Sequence, residues 1–216
     1  MRYGAAIFDL DGTLVDTLQD LADAANQVLA ESGYPEHPVQ MYRYFVGDGL
    51  SVLIERIVPP GTKENEKELC CQRFSQIYSN LWRRNSCPYP GVNAMLARLQ
   101  QNGIRLAVLS NKPHSFTIEH VEHFFPGTLF ESVLGQRPGV EKKPNPVGLL
   151  EIASIMALPL SECIYIGDTA VDMQTGRAAE MFTVGVLWGF RNRQELEDSH
   201  ANMIIQHPME IYTACR

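Results

Sequence analysis

The sequence has no hydrophobic run near the roughly 18 residues that a bilayer-spanning helix needs, which excludes a membrane anchor of that kind. Its first apolar stretch, Ala5 to Phe8, is cut at once by Asp9 and Asp11, so it does not form the core of a signal peptide. Cysteine is scarce and poorly spaced. Cys70, Cys71, Cys87, Cys163 and Cys215 make no C-x-x-C and none of the usual zinc spacings. An odd number with two adjacent members reads as reduced thiols in a cytoplasmic protein without structural disulfides. Positive charge is also short, 18 Lys and Arg against 25 Asp and Glu, for a net charge of -7. The longest basic runs are the pairs Arg83-Arg84 and Lys142-Lys143, which argues against a dedicated nucleic-acid binder. Neither G-x-x-x-x-G-K-[ST] nor G-x-G-x-x-G occurs, so ATP and dinucleotide loops have no support. Internal repeats and low-complexity tracts are absent.

What remains is an ordinary globular composition, 45% hydrophobic and 20% charged over 216 residues. That length suits one α/β core of about 150 residues with a smaller appended or inserted unit. Tyr3 to Phe8, Ile104 to Leu109, Cys163 to Ile166 and Phe182 to Trp188 are short apolar runs without alternation, as in strands covered on both faces. A weaker run surrounds Ser132 to Leu134. Between them lie helical patterns: Val92, Met95, Leu96 and Leu99 before Gly103, then Asn145-Pro146 followed by Leu149, Ile152, Ala153 and Met156. Strand alternating with helix predicts a parallel, doubly wound (Rossmann-like) α/β sheet.

Residues 16–86 break this rhythm because they contain no convincing strand. Leu18, Leu21, Ala25, Val28 and Leu29 mark one helix, and Leu50, Leu53, Ile54 and Ile57 another. A third runs from about Thr62 to Arg84, and a shorter one begins at Pro38. The expected organisation is a core of residues 1–15 and 87–216 with a helical unit, 16–86, inserted after the first strand.

Chemistry gathers where strands end. The first runs into Asp9-Leu10-Asp11-Gly12-Thr13, where two carboxylates on an extended chain point to one side, though an acidic turn reads the same way. The next runs into Ser110-Asn111-Lys112-Pro113, either a helix cap or an anion site at a helix start. Lys143 precedes Pro144, and Ile166 leads into Gly167-Asp168-Thr169-Ala170-Val171-Asp172. Asp168 as a helix N-cap would explain itself without function but would leave Asp172 unexplained. Carboxylates gathered in one cleft destabilise a fold unless a cation neutralises them, and hard oxygen ligands suit Mg²⁺.

In this order the four motifs resemble those of the haloacid dehalogenase superfamily of aspartate-based phosphatases, over essentially the whole chain. The insertion after the first motif looks like that family's helical cap. Val184 to Phe190 and Gly47-Asp48-Gly49-Leu50 are similar to the phosphoglycolate phosphatase branch. The resemblance implies a Mg²⁺-dependent phosphomonoester hydrolase of a small phosphorylated metabolite, monomeric or homodimeric. It makes Asp9 the nucleophile and Asp11 the acid–base group, with Asp9, the Asp11 backbone carbonyl and Asp168 as metal ligands. Ser110, Asn111 and Lys143 would bind phosphate, and Asp172 and Thr13 would stand one layer behind. Asp11 separates this chain from the family's dehalogenases, which carry no carboxylate there. A phosphomutase using Asp9 to shuttle phosphate is the nearest alternative; a phospho-accepting receiver domain or a silent binding protein is a more distant one.

Other features have plainer readings. His120 and His123, with Glu119 and Glu122, lack the HExxH spacing and are expected on a solvated helical face. Cys70-Cys71 reads as helix packing, and Tyr42, Tyr44 and Phe45 as packing between the helical unit and the core.

Overall fold

A computed structural model describes residues 3–215. Strand β1 (Ala5–Phe8) and the two-residue β2 (Val15–Asp16) lead into four helices: α1 (Leu18–Glu31), α2 (Tyr42–Phe45), α3 (Leu50–Ile57) and α4 (Glu64–Leu81). The chain continues through β3 (Cys87–Pro88), α5 (Val92–Gln101), β4 (Arg105–Pro113), α6 (His114–Phe124), β5 (Phe130–Gln136) and α7 (Val147–Ile155). It ends with β6 (Cys163–Gly167), α8 (Ala170–Ala178), β7 (Phe182–Val186), α9 (Arg193–Asp198), β8 (Met203–Ile205) and α10 (Glu210–Ala214).

Six strands form one sheet in the order β5-β4-β1-β6-β7-β8, and every pairing is parallel. The apolar runs explain why. Successive strand residues face opposite sides, and here both sides are covered. Ala6 and Phe8 of β1 join Leu106 and Val108 of β4 and Ile164 and Ile166 of β6 in one cluster. Ala5 and Ile7 join Ala107, Leu109, Cys163 and Tyr165 in the cluster on the other face. A strand order that reverses at β1 leaves a crevice at the carboxyl ends of β1, β4 and β6, where open α/β sheets bind ligands.

The helices between β2 and β3 have their own core, in which Val28 and Leu29 of α1 meet Ile54 and Ile57 of α3 and Phe74 and Tyr78 of α4. The segment leaves and rejoins the sheet domain through a ribbon in which Val15 pairs with Pro88 and Asp16 with Cys87. The buried Asp20 carboxylate fastens the return path by accepting from the backbone N–H groups of Asn85 (3.0 Å) and Ser86 (2.9 Å).

The structure departs from the sequence reading in three places that matter. β4 continues past Leu109 to Pro113, so Ser110 to Lys112 are extended chain and α6 starts only at His114. The short helix at Pro38 is a single 3-10 turn, Val39–Met41, running into α2. An edge strand, β8, pairs with β7, although its three residues are too few for a periodic signal. All five cysteines are free, and no helix among the described residues is long and apolar enough to cross a membrane.

Candidate active site

The crevice collects side chains from four segments. Asp9 follows β1, and the chain then turns at Gly12, whose φ of +87° suits only glycine and where a Cβ would collide with the Asp168 carboxylate. Ser110, Asn111 and Lys112 are the buried end of β4. Lys143 comes from the β5–α7 connection, Asp168 from the β6–α8 turn and Asp172 from the first turn of α8.

Asp9, Asp168 and Asp172 can each offer a carboxylate oxygen such that all lie within 4.8 Å of one another. One ammonium serves two of them, Asp9 and Asp172. Lys143 Nζ lies 2.8 Å from Asp9 Oδ1 and 2.7 Å from Asp172 Oδ1, and it donates to the Tyr165 hydroxyl at 3.0 Å. Asp172 is otherwise fully occupied, its Oδ2 accepting from Thr169 N (3.1 Å) and Thr169 Oγ1 (2.8 Å). The alternative reading of Asp168 as an N-cap does not hold: Thr169 caps α8 and Asp172 closes its capping box, while Asp168 lies outside the helix. Asp168 is steadied by Thr13 Oγ1 (3.1 Å) and by Phe190 N (2.7 Å). Thr13 therefore touches Asp168 directly.

Burial pushes the Asp9 carboxyl well above the usual range; Lys143 works against this, and Asp172 and Asp168 reinforce it. Asp168 rises to about 7, first through burial and then through Asp172. The Lys143 ammonium holds its proton because Asp172 and Asp9 outweigh its own burial. A divalent cation fits this setting. Asp9 Oδ1 is buried without an aligned hydrogen-bond donor, although the ammonium is close, and the donor set is hard oxygen carrying excess negative charge.

Asp11 lives differently. Its carboxylate accepts from Thr17 Oγ1 at 2.7 Å and from Lys112 Nζ at 3.0 and 3.3 Å. Burial alone would raise its pKa, but the Lys112 ammonium and the Thr17 hydrogen bond bring it below the usual value. Lys112 is a residue that the sequence reading left without a role. The signal was available, because residues i and i+2 of an extended segment share a side, and Ser110 and Lys112 are so spaced.

Ser110 and Lys112 both border a cavity of about 60 Å³ that also meets Asp9 and Asp11. Asn111 borders it too, but its side chain is committed elsewhere. Its amide nitrogen donates to the carbonyls of Gly47 and Lys143 at 3.1 Å each, and its oxygen accepts from Lys143 N at 2.8 Å. The opposite wall comes from the helical segment and is apolar: Leu21, Leu50, Leu53 and Phe74.

His120 departs from expectation. It is fully buried, stacked on Trp82 with centroids 4.3 Å apart, whereas His123, Glu119 and Glu122 are exposed. Among the aromatics, Tyr42 and Phe45 pack on each other and on His37 within the helical segment rather than against the core, whereas the exposed Tyr44 has the Arg191 guanidinium of the sheet domain over its ring.

Comparison with known proteins identifies the family and the fold. A family model described as haloacid dehalogenase-like hydrolase matches residues 6–186, from β1 to the end of β7. The chain belongs to this hydrolase family. A phosphoglycolate phosphatase of Psychrobacter arcticus is 33% identical over 197 residues, 88% of this chain and 86% of that protein. Two crystal structures, both of predicted phosphoglycolate phosphatases, share the fold from end to end. The one from Lactobacillus delbrueckii subsp. bulgaricus superposes with a TM-score of 0.94 at 31% identity, covering 100% of this chain and 99% of the other. The one from Haemophilus somnus gives 0.93 at 26% identity, with the same coverage. These relatives share the parallel α/β sheet with its strand-end crevice.

Proposed function

We propose that the chain is a cytoplasmic, Mg²⁺-dependent phosphomonoester hydrolase that works through an aspartyl-phosphate on Asp9, with phosphoglycolate the leading substrate. The observation that carries the reading is the opposite setting of two neighbouring carboxylates beside one small cavity. Asp9 stands in a group with surplus negative charge, and Asp11 is matched to a cation of its own.

Asp9 and Asp168, with the Asp11 backbone carbonyl, would hold the metal ion, which when bound screens the negative charges of phosphate and nucleophile from one another. An Asp9 oxygen attacks phosphorus, and the ester oxygen departs with a proton from Asp11. Water then attacks the phosphorus of the acyl phosphate while Asp11 takes the water's proton, which restores Asp9 and releases phosphate. The Ser110 hydroxyl holds a phosphate oxygen, and Lys143 balances charge between Asp9 and the phosphoryl group. Asn111 contributes by fixing the Lys143 backbone. The contact between Lys112 and Asp11 favours the ionised form that activates water. The donating form requires the ammonium to yield its place on the carboxylate.

Residues 16–86 act as a cap that excludes water and shapes the cavity. A volume of about 60 Å³ supports a small leaving group. The apolar cap wall favours a second reading, a small ester whose leaving portion is uncharged. Assay of a panel containing phosphoglycolate and uncharged small esters separates the two readings. Hydrolysis of p-nitrophenyl phosphate should stop in EDTA and return with Mg²⁺, with Ca²⁺ a poor substitute because its looser coordination misplaces the nucleophile. Full activity in chelator would overturn the metal assignment, and an isomerised sugar phosphate in place of free phosphate would point to a mutase.

A further inference from the structure

The polar groups between α4 and the sheet domain form a chain in which the direction of each hydrogen bond follows from the first. His120 Nδ1 lies 2.7 Å from the Phe116 carbonyl, which can only accept, so Nδ1 carries the ring proton. Burial, followed by the Lys112 ammonium, lowers the His120 pKa to about 3, so the ring is neutral and Nε2 is an acceptor. The Tyr78 hydroxyl, 3.1 Å from Nε2, therefore donates to it. With its proton spent there, the Tyr78 oxygen accepts from Lys112 Nζ at 2.9 Å. Lys112 Nζ in turn donates to Asp11, and the ammonium also lies 4.6 Å from the Tyr78 ring centroid. Tyr78, Lys112 and His120 are all buried. Tyr78 alone among these residues comes from the helical segment.

We propose that Tyr78 is a positioning residue: from the cap it fixes where Lys112 stands against Asp11, so the geometry of the proton-transfer carboxylate depends on the cap being seated. The proposal rests on the reading of Asp11 as the acid–base group. Tyr78 acts through Lys112, and His120 fixes which way its hydroxyl points. A tyrosine that served only as packing would have no need of the hydroxyl, and Tyr78→Phe keeps the ring while removing that oxygen.

The test uses two aryl phosphates of nearly equal size, p-nitrophenyl and p-tolyl. The first releases a stable phenolate that needs little proton transfer, and the second releases a poor leaving group that needs a well-placed acid. In Tyr78→Phe, kcat/KM for the p-tolyl ester should fall roughly 10-fold, the scale of one lost hydrogen bond to a charged group. The p-nitrophenyl value should change by less than about 3-fold on the same reasoning. Lys112→Met, altered on the core side, should change the ratio of the two kcat/KM values because Asp11 loses the same contact, and covers the case in which Tyr78→Phe is unstable. Adding Tyr78→Phe to Lys112→Met should cost nothing further. Equal losses on both esters, no loss on either, or full additivity in the double variant would overturn the proposal. Asp11→Asn separates this failure from that of the underlying reading. If Asp11→Asn shows the split and Tyr78→Phe does not, the positioning role is wrong. If Asp11→Asn shows none, the role of Asp11 itself is wrong, and the positioning role falls with it.

Discussion

Asp9 and Asp11 are two residues apart on one strand end, and their surroundings push them in opposite directions. Burial raises both, so desolvation does not tell them apart. The local count of charges does. On the Asp9 side three carboxylates gather, of which Asp9 and Asp172 share the Lys143 ammonium and Asp168 feels only the more distant Arg191, whereas Asp11 has the Lys112 ammonium and a Thr17 hydroxyl. One side is left short of positive charge, which suits a metal ion and a phosphate arriving together. The other is balanced within the protein and suits a group that must pass a proton back and forth.

The largest effect should come from breaking the first side. Lys143→Ala leaves Asp9 and Asp172 buried without their cation, and removing one partner of a buried ion pair costs about 3–5 kcal/mol. Urea unfolding should show that loss, and kcat/KM should fall alike for large and small esters, since all present the same phosphate. Unchanged stability would mean that the shared ammonium is not what neutralises this side.

Disabling the second side should cost less stability, because Asp11→Asn leaves Lys112 an amide oxygen to donate to. Asp11→Asn keeps the shape and the proposed backbone ligand but removes proton transfer, so turnover should fall roughly 10²–10⁴-fold. Mg²⁺ binding, read from the thermal midpoint, should persist. Near-normal turnover would erase the distinction between the two carboxylates.

The smallest effect concerns the buried ring behind Lys112. His120 has its pKa at about 3 in the folded protein, against 6.5 for an ordinary histidine. The unfolded chain therefore binds more protons between those values, and stability is lost as pH falls from about 6.5 toward 3. Denaturant titrations over that range should show a decline that is shallower, by an amount on the order of 1 kcal/mol or more, in His120→Phe. Identical slopes in the two proteins would show that the ring titrates freely.

How far these two sides could be seen in the sequence differs for physical reasons. Strands β1, β4 and β6 were legible because strands buried on both faces are continuously apolar, and a polar residue ends each run. Asp9 and Asp168 follow directly on two of those runs, whereas Lys143 and Asp172 reach the site from the β5–α7 connection and from α8. The N-cap of α8 was not legible, because Asp168 and Thr169 are both good capping residues and only the backbone path decides between them. The Asp11 side was mostly hidden. Tyr78 lies on the apolar stripe of its helix, where a hydroxyl looks like packing, and His120 is covered by Trp82 and Tyr78, which come to it from the inserted segment. Contacts between elements far apart in sequence leave no periodic trace.

The account stands most directly on which carboxylate takes the phosphoryl group. Enzyme turning over a small phosphate ester with Mg²⁺, quenched in acid and reduced with borohydride, should carry homoserine in place of aspartate at position 9, because borohydride reduces an acyl phosphate to the alcohol. Peptide mass spectrometry should find that change only in samples that received substrate, and Asp11 and Asp168 should remain aspartate throughout. Homoserine at position 11 or 168, or none anywhere while phosphate is being released, would contradict the division of labour between Asp9 and Asp11.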